Sequence, residues 1–134
     1  MNFKQLSTLL ALLFLLQNPL FAQTQNKFNQ NFQSALLAYK NQDYLNAYKL
    51  LTLLAKKNYA PAQAQLAYMY EYGIGIRKDQ SEANKLYKKL LNQYTESAKL
   101  GNAEAQYKVG QLHYAGKGVP ENIPEAMSWY VKAA

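Results

Sequence analysis

A catalytic or metal-binding role would have to start from the single histidine of this chain, His113. The 134-residue sequence contains no cysteine, and no acidic residue stands four positions from His113 on its predicted helix. A zinc site needs clustered ligands and an activated nucleophile needs a neighbouring base, so neither can be assembled locally. The sequence predicts no metal and no cofactor, and we expect His113 to be a packing position.

The serines also lack the spacing of a nucleophile that is activated by lysine. Lactam-hydrolysing enzymes place a lysine three positions after the nucleophilic serine. At that spacing the serines after residue 22 form the pairs Ser34 and Leu37, Ser81 and Asn84, Ser97 and Leu100, and Ser128 and Val131. The sequence therefore indicates that the protein is not an enzyme.

Two glycine pairs, Gly73 with Gly75 and Gly116 with Gly118, are the remaining candidates for chemistry, as cradles for a phosphate group. Neither pair follows a predicted strand, has a third glycine, or precedes a Lys-Ser or Lys-Thr pair. Glycine readily adopts the left-handed backbone conformation that ends helices. We therefore expect both pairs to terminate helices.

The glycine pairs belong to an internal repeat with an offset of 43 residues. The first copy contains Ala62, Gln63, Gly73, Gly75, Ala83 and Tyr87, and the second contains Ala105, Gln106, Gly116, Gly118, Ala126 and Tyr130. A period of about 20 to 50 residues is typical of stacked units that bury their apolar faces only against their neighbours. Such a stack presents surfaces, which favours an interaction module.

Apolar residues at helical spacing predict an all-α chain of six helices in three antiparallel hairpins. The predicted helices are 28–40, a second one ending near 57, 60–72, 80–100, 103–115, and 123 to the end. The spacing from Ala47 to Ala83 is 36 residues and from Ala83 to Ala126 is 43, so the middle unit has seven more. Seven residues are two helical turns, and we expect one long helix there.

Two helix starts have the spacing of reciprocal caps, in which a polar side chain and an acid three residues later each bind a free backbone amide. These pairs are Asp79 with Glu82 and Asn122 with Glu125.

The first 22 residues have the features of a secretory signal peptide. Residues 6–16 are almost entirely apolar, a lysine precedes them, and a polar break leads to Ala22. We expect cleavage between Ala22 and Gln23, which leaves residues 23–134 as a periplasmic or secreted domain. An uncleaved membrane anchor is the alternative, although the apolar run has 11 residues where about 20 are needed to span a bilayer.

Residues 101–134 strongly resemble the Sel-1-like repeat, a relative of the tetratricopeptide repeat. The matching residues are Ala103, Ala105, Gln106, Gly110, Gly116, Gly118, Val119, Ala126, Trp129, Tyr130, Lys132, Ala133 and Ala134. Residues 59–94 match more loosely, and the hairpin at 28–57 keeps little beyond Ala47. The resemblance implies a right-handed α/α superhelix whose concave face binds proteins in bacterial envelope, signalling or host-contact roles.

Five residues lie on the first helices of the predicted hairpins at places that the family pattern leaves free: Tyr68, Tyr72, Tyr107, Gln111 and Tyr114. First helices line the concave surface of such solenoids, and tyrosine combines a large contact area with a polar tip. We expect these residues to bind a protein or peptide partner, with Tyr68 and Tyr72 in places comparable to those of Tyr107, Gln111 and Tyr114 one repeat later. Burial in the core is the rival explanation.

Other functions stay open in the sequence. Cysteine-rich exported members of the family have been linked with penicillin binding or lactam hydrolysis, so a cell-wall ligand binder or lactam hydrolase is one alternative. Lys85, Lys88 and Lys89 cluster on the long helix, where they could meet an anionic envelope surface or simply be solvated. Nucleic acid is not an expected partner, because an exported protein rarely meets it.

The last residues of the chain form an apolar flank: Trp129, Tyr130, Ala133 and Ala134. Terminal repeats of solenoids usually need a polar outer face for solubility. Either a partner or a second copy of the chain covers this flank, or the chain is a shortened fragment of a longer repeat protein.

Overall fold

A computed structural model describes residues 2–134, which form seven α-helices and no β-strand. In chain order the helices are α1 (Phe3–Leu16), α2 (Pro19–Lys40), α3 (Tyr44–Lys56), α4 (Ala60–Tyr72), α5 (Gln80–Lys99), α6 (Ala103–Ala115) and α7 (Ile123–Ala133). Helices α2 and α3 form hairpin 1, α4 and α5 form hairpin 2, and α6 and α7 form hairpin 3.

From α2 onwards, each helix packs chiefly against the helices that precede and follow it in the sequence. One apolar cluster joins hairpins 1 and 2, and a second joins hairpins 2 and 3. Close approach of the helices is allowed by alanines with no exposed surface, namely Ala35, Ala47, Ala62, Ala67, Ala83 and Ala126. The predicted right-handed α/α superhelix of three antiparallel hairpins is confirmed.

Glycine ends the first helix of hairpins 2 and 3 as predicted. Gly73 and Gly116 are the C-terminal caps of α4 and α6, with φ of 65° and 63° in the left-handed region. A residue with a β-carbon pays a steric penalty there, which glycine avoids. The turn then leads directly to the cap of the next helix, because the amide of Asp79 donates to the carbonyl of Tyr70 and that of Asn122 to the carbonyl of His113.

Only one of the two hydrogen bonds of each predicted reciprocal cap forms. Asp79 and Asn122 each accept the amide three residues later, at 3.0 Å in both cases. The acids at those positions bind other groups: Glu82 pairs with Lys85, and Glu125 accepts the indole N–H of Trp129 at 2.8 Å. The prediction of reciprocal caps is therefore wrong for the acids, because the amides of Asp79 and Asn122 that they would bind already donate to the backbone carbonyls of Tyr70 and His113.

Helix α2 begins at Pro19, nine residues before the predicted start at Phe28. Asn18 caps this helix by accepting the amide of Leu20, and Pro19 occupies the first turn, where its missing amide costs no hydrogen bond. The polar residues 23–27 carry no apolar stripe, so periodicity alone could not show that they are helical. The predicted end near Lys40 is correct.

The long helix of hairpin 2 is also confirmed, since α5 has 20 residues where α3 has 13. Its buried residues, which include Ala83, Tyr87, Leu91 and Ala98, keep to one face along the whole length.

Within residues 2–134, a membrane-spanning length of apolar sequence is not found in any one helix. Helices α1 and α2 reach it only when they are taken together, and they meet at an angle of 75°.

Candidate protein-binding surfaces

The repeated glutamines tie consecutive hairpins together. The side-chain amide of Gln63 donates to the carbonyl of Ala55 at 3.3 Å, and that of Gln106 donates to the carbonyl of Ala98 at 3.2 Å. Each bond joins the first helix of one hairpin to the end of the preceding helix. The repeat motif thus contains a polar contact that fixes how hairpins stack, which leaves other polar and aromatic residues free for the surface.

The four tyrosines of the predicted binding set are not part of the core. Tyr68, Tyr72, Tyr107 and Tyr114 have 42%, 56%, 48% and 56% of their surface exposed, and Gln111 is half-buried. The rival explanation, burial in the core, is therefore wrong for these tyrosines. Exposed tyrosines that cluster are candidates for binding, because contiguous exposed apolar surface marks interaction sites and tyrosine is enriched at the centres of interfaces.

The structure places these tyrosines on two separate surfaces. The rings of Tyr68 and Tyr72 lie 4.6 Å apart on α4, and we call this pair the central face. Gln111 lies on α6, at the repeat counterpart of Tyr68. Tyr107 packs instead against Tyr130, with ring centroids 5.5 Å apart. Tyr107, Tyr114, Tyr130 and Ala133 line a cavity of about 740 Å³ at the outer side of hairpin 3, which we call the end groove.

The expected correspondence between the two sets of residues holds for Tyr68, which is the repeat counterpart of Gln111, but not for Tyr107 or Tyr114. At the repeat offset of 43, the counterparts of Tyr107 and Tyr114 are Ala64 and Glu71, and the counterpart of Tyr68 is Gln111. Ala64 packs against the apolar cluster between hairpins 2 and 3. The end groove on hairpin 3 is therefore equivalent to the face of hairpin 2 on which hairpin 3 packs.

A partly buried ion pair next to the central face links hairpins 2 and 3. The Lys117 ammonium lies 2.9 Å from a carboxylate oxygen of Glu71, and the Tyr87 hydroxyl donates to the same oxygen at 2.7 Å. The Lys117 nitrogen also lies 4.9 Å from the ring centre of Tyr87 and 5.9 Å from that of Tyr72. Lys117 therefore brings a positive charge from hairpin 3 against the aromatic rings of hairpin 2.

The ionisation of this cluster follows from its contacts. Burial by itself raises the pKa of Glu71, but the hydrogen bonds from Lys117 and Tyr87, together with the charges of Lys117 and Lys78, outweigh it and hold that pKa below its usual range. The pKa of Tyr87 is raised, chiefly by burial and secondly by the hydrogen bond to the Glu71 carboxylate. Glu71 is thus a carboxylate and Tyr87 a neutral phenol at neutral pH.

Other tyrosines have structural partners instead of exposed surface. The hydroxyls of Tyr48 and Tyr70 lie 2.9 Å apart across hairpins 1 and 2, and burial followed by this bond raises the pKa of Tyr70 to about 12. Phe32 meets the ring of Tyr59 edge-on at 5.6 Å. These contacts separate the tyrosines that hold the stack together from those that face outwards.

His113 and Trp129 belong to the fold rather than to a surface. His113 is half-buried, with its ring Nδ1 atom buried, and residues 2–134 contain no group of side chains suited to a metal ion. Trp129 has 9% of its surface exposed and a Lys132 ammonium 4.2 Å from its ring centre. The apolar flank predicted at the end of the chain therefore contains Tyr130, Ala133 and Ala134 but not Trp129.

The helical hairpins, their repeated glutamine contacts and their glycine caps agree with the family comparison. The Sel1 repeat model matches residues 60–93 and 103–134, which are the two copies of the internal repeat. The chain is a Sel1-like repeat protein. Hairpin 1 lies outside both matches and stacks on them in the same way.

Among curated relatives, this Sel1-like repeat protein is 31% identical to Protein sel-1 homolog 2 of Homo sapiens over 105 residues. The match covers 78% of this chain and 15% of the human protein, so this chain spans a small part of that relative's length.

Two solved structures are similar to the chain. A Sel1 repeat protein from Oxalobacter formigenes is 30% identical with a TM-score of 0.46, and the match covers 76% of this chain and 39% of that one. Cysteine-rich protein B of Helicobacter pylori is 21% identical with a TM-score of 0.43, and the match covers 80% of this chain and 86% of that one.

No sequence pattern indicates the pair of Lys117 and Glu71. The two residues are 46 positions apart, lie in different hairpins, and belong to neither repeat motif. Only the stacking of hairpin 3 on hairpin 2 brings them together.

Proposed function

We propose that this Sel1-like repeat protein is an exported, non-catalytic scaffold that binds a segment of a partner protein at the central face. Sel1 repeat proteins generally bind proteins. The observation that carries the proposal is the pair of Tyr68 and Tyr72, whose rings are in contact at an interplanar angle of 48° and stay exposed outside the solenoid core. Tyrosine pairs of this kind give large contact area at a low cost in side-chain entropy.

The surroundings of the pair favour a polypeptide over a small molecule. Tyr68 and Tyr72 stand on the open side of a helix, and Lys117 contributes a partly exposed cation beside Tyr72. Exposed aromatic rings on an open helix face suit a segment that has apolar side chains.

Site-specific photo-crosslinking tests this proposal. A photoreactive phenylalanine analogue at Tyr68 or Tyr72 should give a crosslinked partner, because these positions would lie inside the interface. The same analogue at Leu37 or Leu45, which are also exposed apolar residues on other helices, is the matched control. Equal crosslinking from both pairs of positions would contradict the site.

We propose a second copy of the chain as the occupant of the end groove. The residues 43 positions before those of the groove bind a hairpin of this same chain, so the groove has the character of a hairpin-stacking surface. Light scattering should show a dimer that becomes a monomer in the Y107A/Y114A variant. That variant should keep partner capture at the central face, whereas Y68A/Y72A should lose capture and remain dimeric. A native chain that is monomeric at high concentration would exclude the dimer. That result would say nothing about binding at the central face.

The export part of the proposal depends on residues 1–22. If they are a cleaved signal, the N-terminal residue of the protein purified from its natural host is Gln23, which mass spectrometry of the intact chain determines. A chain that retains residues 1–22 and sediments with membranes would instead support the anchor alternative.

A further inference from the structure

Hairpins 2 and 3 stack on the preceding helix in the same manner. A β-carbon added to Gly75 would strike the Tyr44 side chain, and one added to Gly118 would lie 2.6 Å from backbone atoms of Tyr87 and Lys88. The two contacts have equivalent sequence spacing, as do the two glutamine contacts described above. Hairpin 3 therefore packs on residues 87–99 of α5 as hairpin 2 packs on the whole of α3.

This equivalence locates the seven extra residues at the N-terminal end of α5. Residues 80–86 have no counterpart in α3 and extend about 10 Å beyond the point where the loop of hairpin 3 crosses the helix. The extension forms a ledge, and a groove of about 520 Å³ lies between it and loop 116–120. The ledge side of the groove is lined by one helical stripe: Ser81, Asn84, Lys85 and Lys88.

The groove is positively charged. Lys85 and Lys88 line it, and none of its lining residues is acidic, although Glu82 and Glu121 adjoin the lining in the sequence. Glu82 offsets part of the charge through its exposed pair with Lys85 at 2.6 Å, while Lys88 has no ion-pair partner within residues 2–134. A partner with carboxylates would complement this charge.

Two backbone amides of the loop wall have no internal hydrogen-bond acceptor among the described residues. Neither the Gly118 nor the Val119 amide donates a hydrogen bond to any acceptor in residues 2–134, although the amides of Gly116 and Lys117 both do. Loop amides that are free of internal partners can bind the carbonyl groups of an extended chain, as an exposed strand edge does.

We propose that the groove between the α5 ledge and loop 116–120 binds an extended acidic segment of a protein. Lys85 and Lys88 bind its carboxylates, and the loop amides bind its backbone. This site shares no residue with the central face or the end groove, so it goes beyond the scaffold function proposed above and does not depend on it.

Binding of a fluorescent peptide to the full chain tests the proposal. The probe is an extended peptide of alternating aspartate and serine, and its matched control replaces every aspartate by asparagine. We expect only the acidic peptide to bind, and the K85Q/K88Q variant to bind it at least about tenfold more weakly because two charge contacts are lost. The K49Q/K56Q variant removes the same charge from α3 and should bind like the native chain.

Two further variants locate the site. N84W fills the groove without changing its charge and should also abolish binding, whereas Y68A/Y72A should leave it intact. Amide chemical-shift changes on adding the acidic peptide should concentrate in residues 81–88 and 116–120.

The proposal is overturned if both lysine pairs weaken binding equally, since that shows a general charge effect, or if N84W binds normally. Binding to vesicles of phosphatidylglycerol that depends on Lys85 and Lys88, without binding of the peptide, would also overturn it in favour of a membrane surface.

Discussion

At the scale of single residues, this protein divides its aromatic and charged side chains between holding hairpins together and facing outwards. Tyr87 belongs to the first group, because its ring is buried and its hydroxyl donates a hydrogen bond to the Glu71 carboxylate. Tyr72 belongs to the second, although it lies close to the same ammonium group of Lys117. The residue type does not distinguish the two roles, whereas the position in the stack does.

Replacing Lys117 by methionine should lower the free energy of unfolding by about 1–3 kcal/mol, because the partly buried Glu71 carboxylate loses its ionic donor. Both side chains are mostly shielded, with 27% and 19% of their surface exposed, so solvent screens the pair only in part. Urea unfolding monitored by circular dichroism measures the change. The double variant K117M/E71L should recover much of the loss, and a K117M variant as stable as the native chain would show that the pair is not a stabilising link.

The Glu71 contribution should depend on pH with a definite sign. The pKa of Glu71 is lowered in the folded state, so its stabilising contribution is present above the unfolded pKa, about 4.3, and is lost as the pH falls through the lower folded pKa. The stability difference between the native chain and E71Q should therefore be constant near neutral pH and shrink on acidification below about pH 4.3. A difference that grows on acidification would contradict this assignment.

Gly118→Ala should destabilise the protein by about 2–4 kcal/mol, because the new methyl group meets the backbone of α5 and the residue has a left-handed conformation. The backbone atoms of Tyr87 and Lys88 cannot move aside without shifting the helix. Gly101→Ala is the matched control, since Gly101 has φ of 91° but no atom within 4 Å of an added β-carbon. The free energy of unfolding of this variant should fall by only about 1 kcal/mol, from backbone strain at the left-handed position. Thermal melts that rank the two variants the other way would show that hairpin 3 does not rest on this contact.

At the scale of helices, the sequence predicts where a helix begins or ends when a capping side chain or a glycine sets that boundary. Polar caps begin α3, α5, α6 and α7, and glycine ends α4 and α6. The start of α2 was missed, because its polar first turns have no amphipathic pattern. The extra length of α5 was read correctly, but the sequence did not reveal which end of the helix would protrude.

The one-sided caps give a test at this scale. Asp79→Ala should cost about 1 kcal/mol of stability, because the amide of Glu82 loses its acceptor at the start of α5. Glu82→Gln should change stability by less than about 0.5 kcal/mol, since that side chain makes only an exposed pair with Lys85. Comparable losses in both variants, measured by urea unfolding, would mean that the acid takes part in the cap after all.

At the scale of the whole molecule, the protein is a linear stack in which each hairpin depends on the one before it. Helix α1 stands apart from this dependence. It packs weakly on α2, lies beside the C-terminal end of α5, and has no buried residue.

Removing residues 1–22 should therefore leave the melting temperature of the remaining chain nearly unchanged, within about 2 °C, because little apolar area packs against that segment. The comparison of the full chain with residues 23–134 by calorimetry measures this. A drop much larger than this would show that α1 or the start of α2 is an integral part of the solenoid rather than a separable leader.

The sequence by itself determined the repeat, the helical hairpins and their boundaries at glycine and cap residues, because these depend on periodicity and on backbone chemistry within a few residues. Only the tertiary structure separated Tyr68 and Tyr72 from Tyr107 and Tyr114, paired Lys117 with Glu71, and turned the seven extra residues of α5 into a ledge. These features depend on how one hairpin rests on the next, which brings together side chains about one repeat apart, and no local pattern encodes that contact.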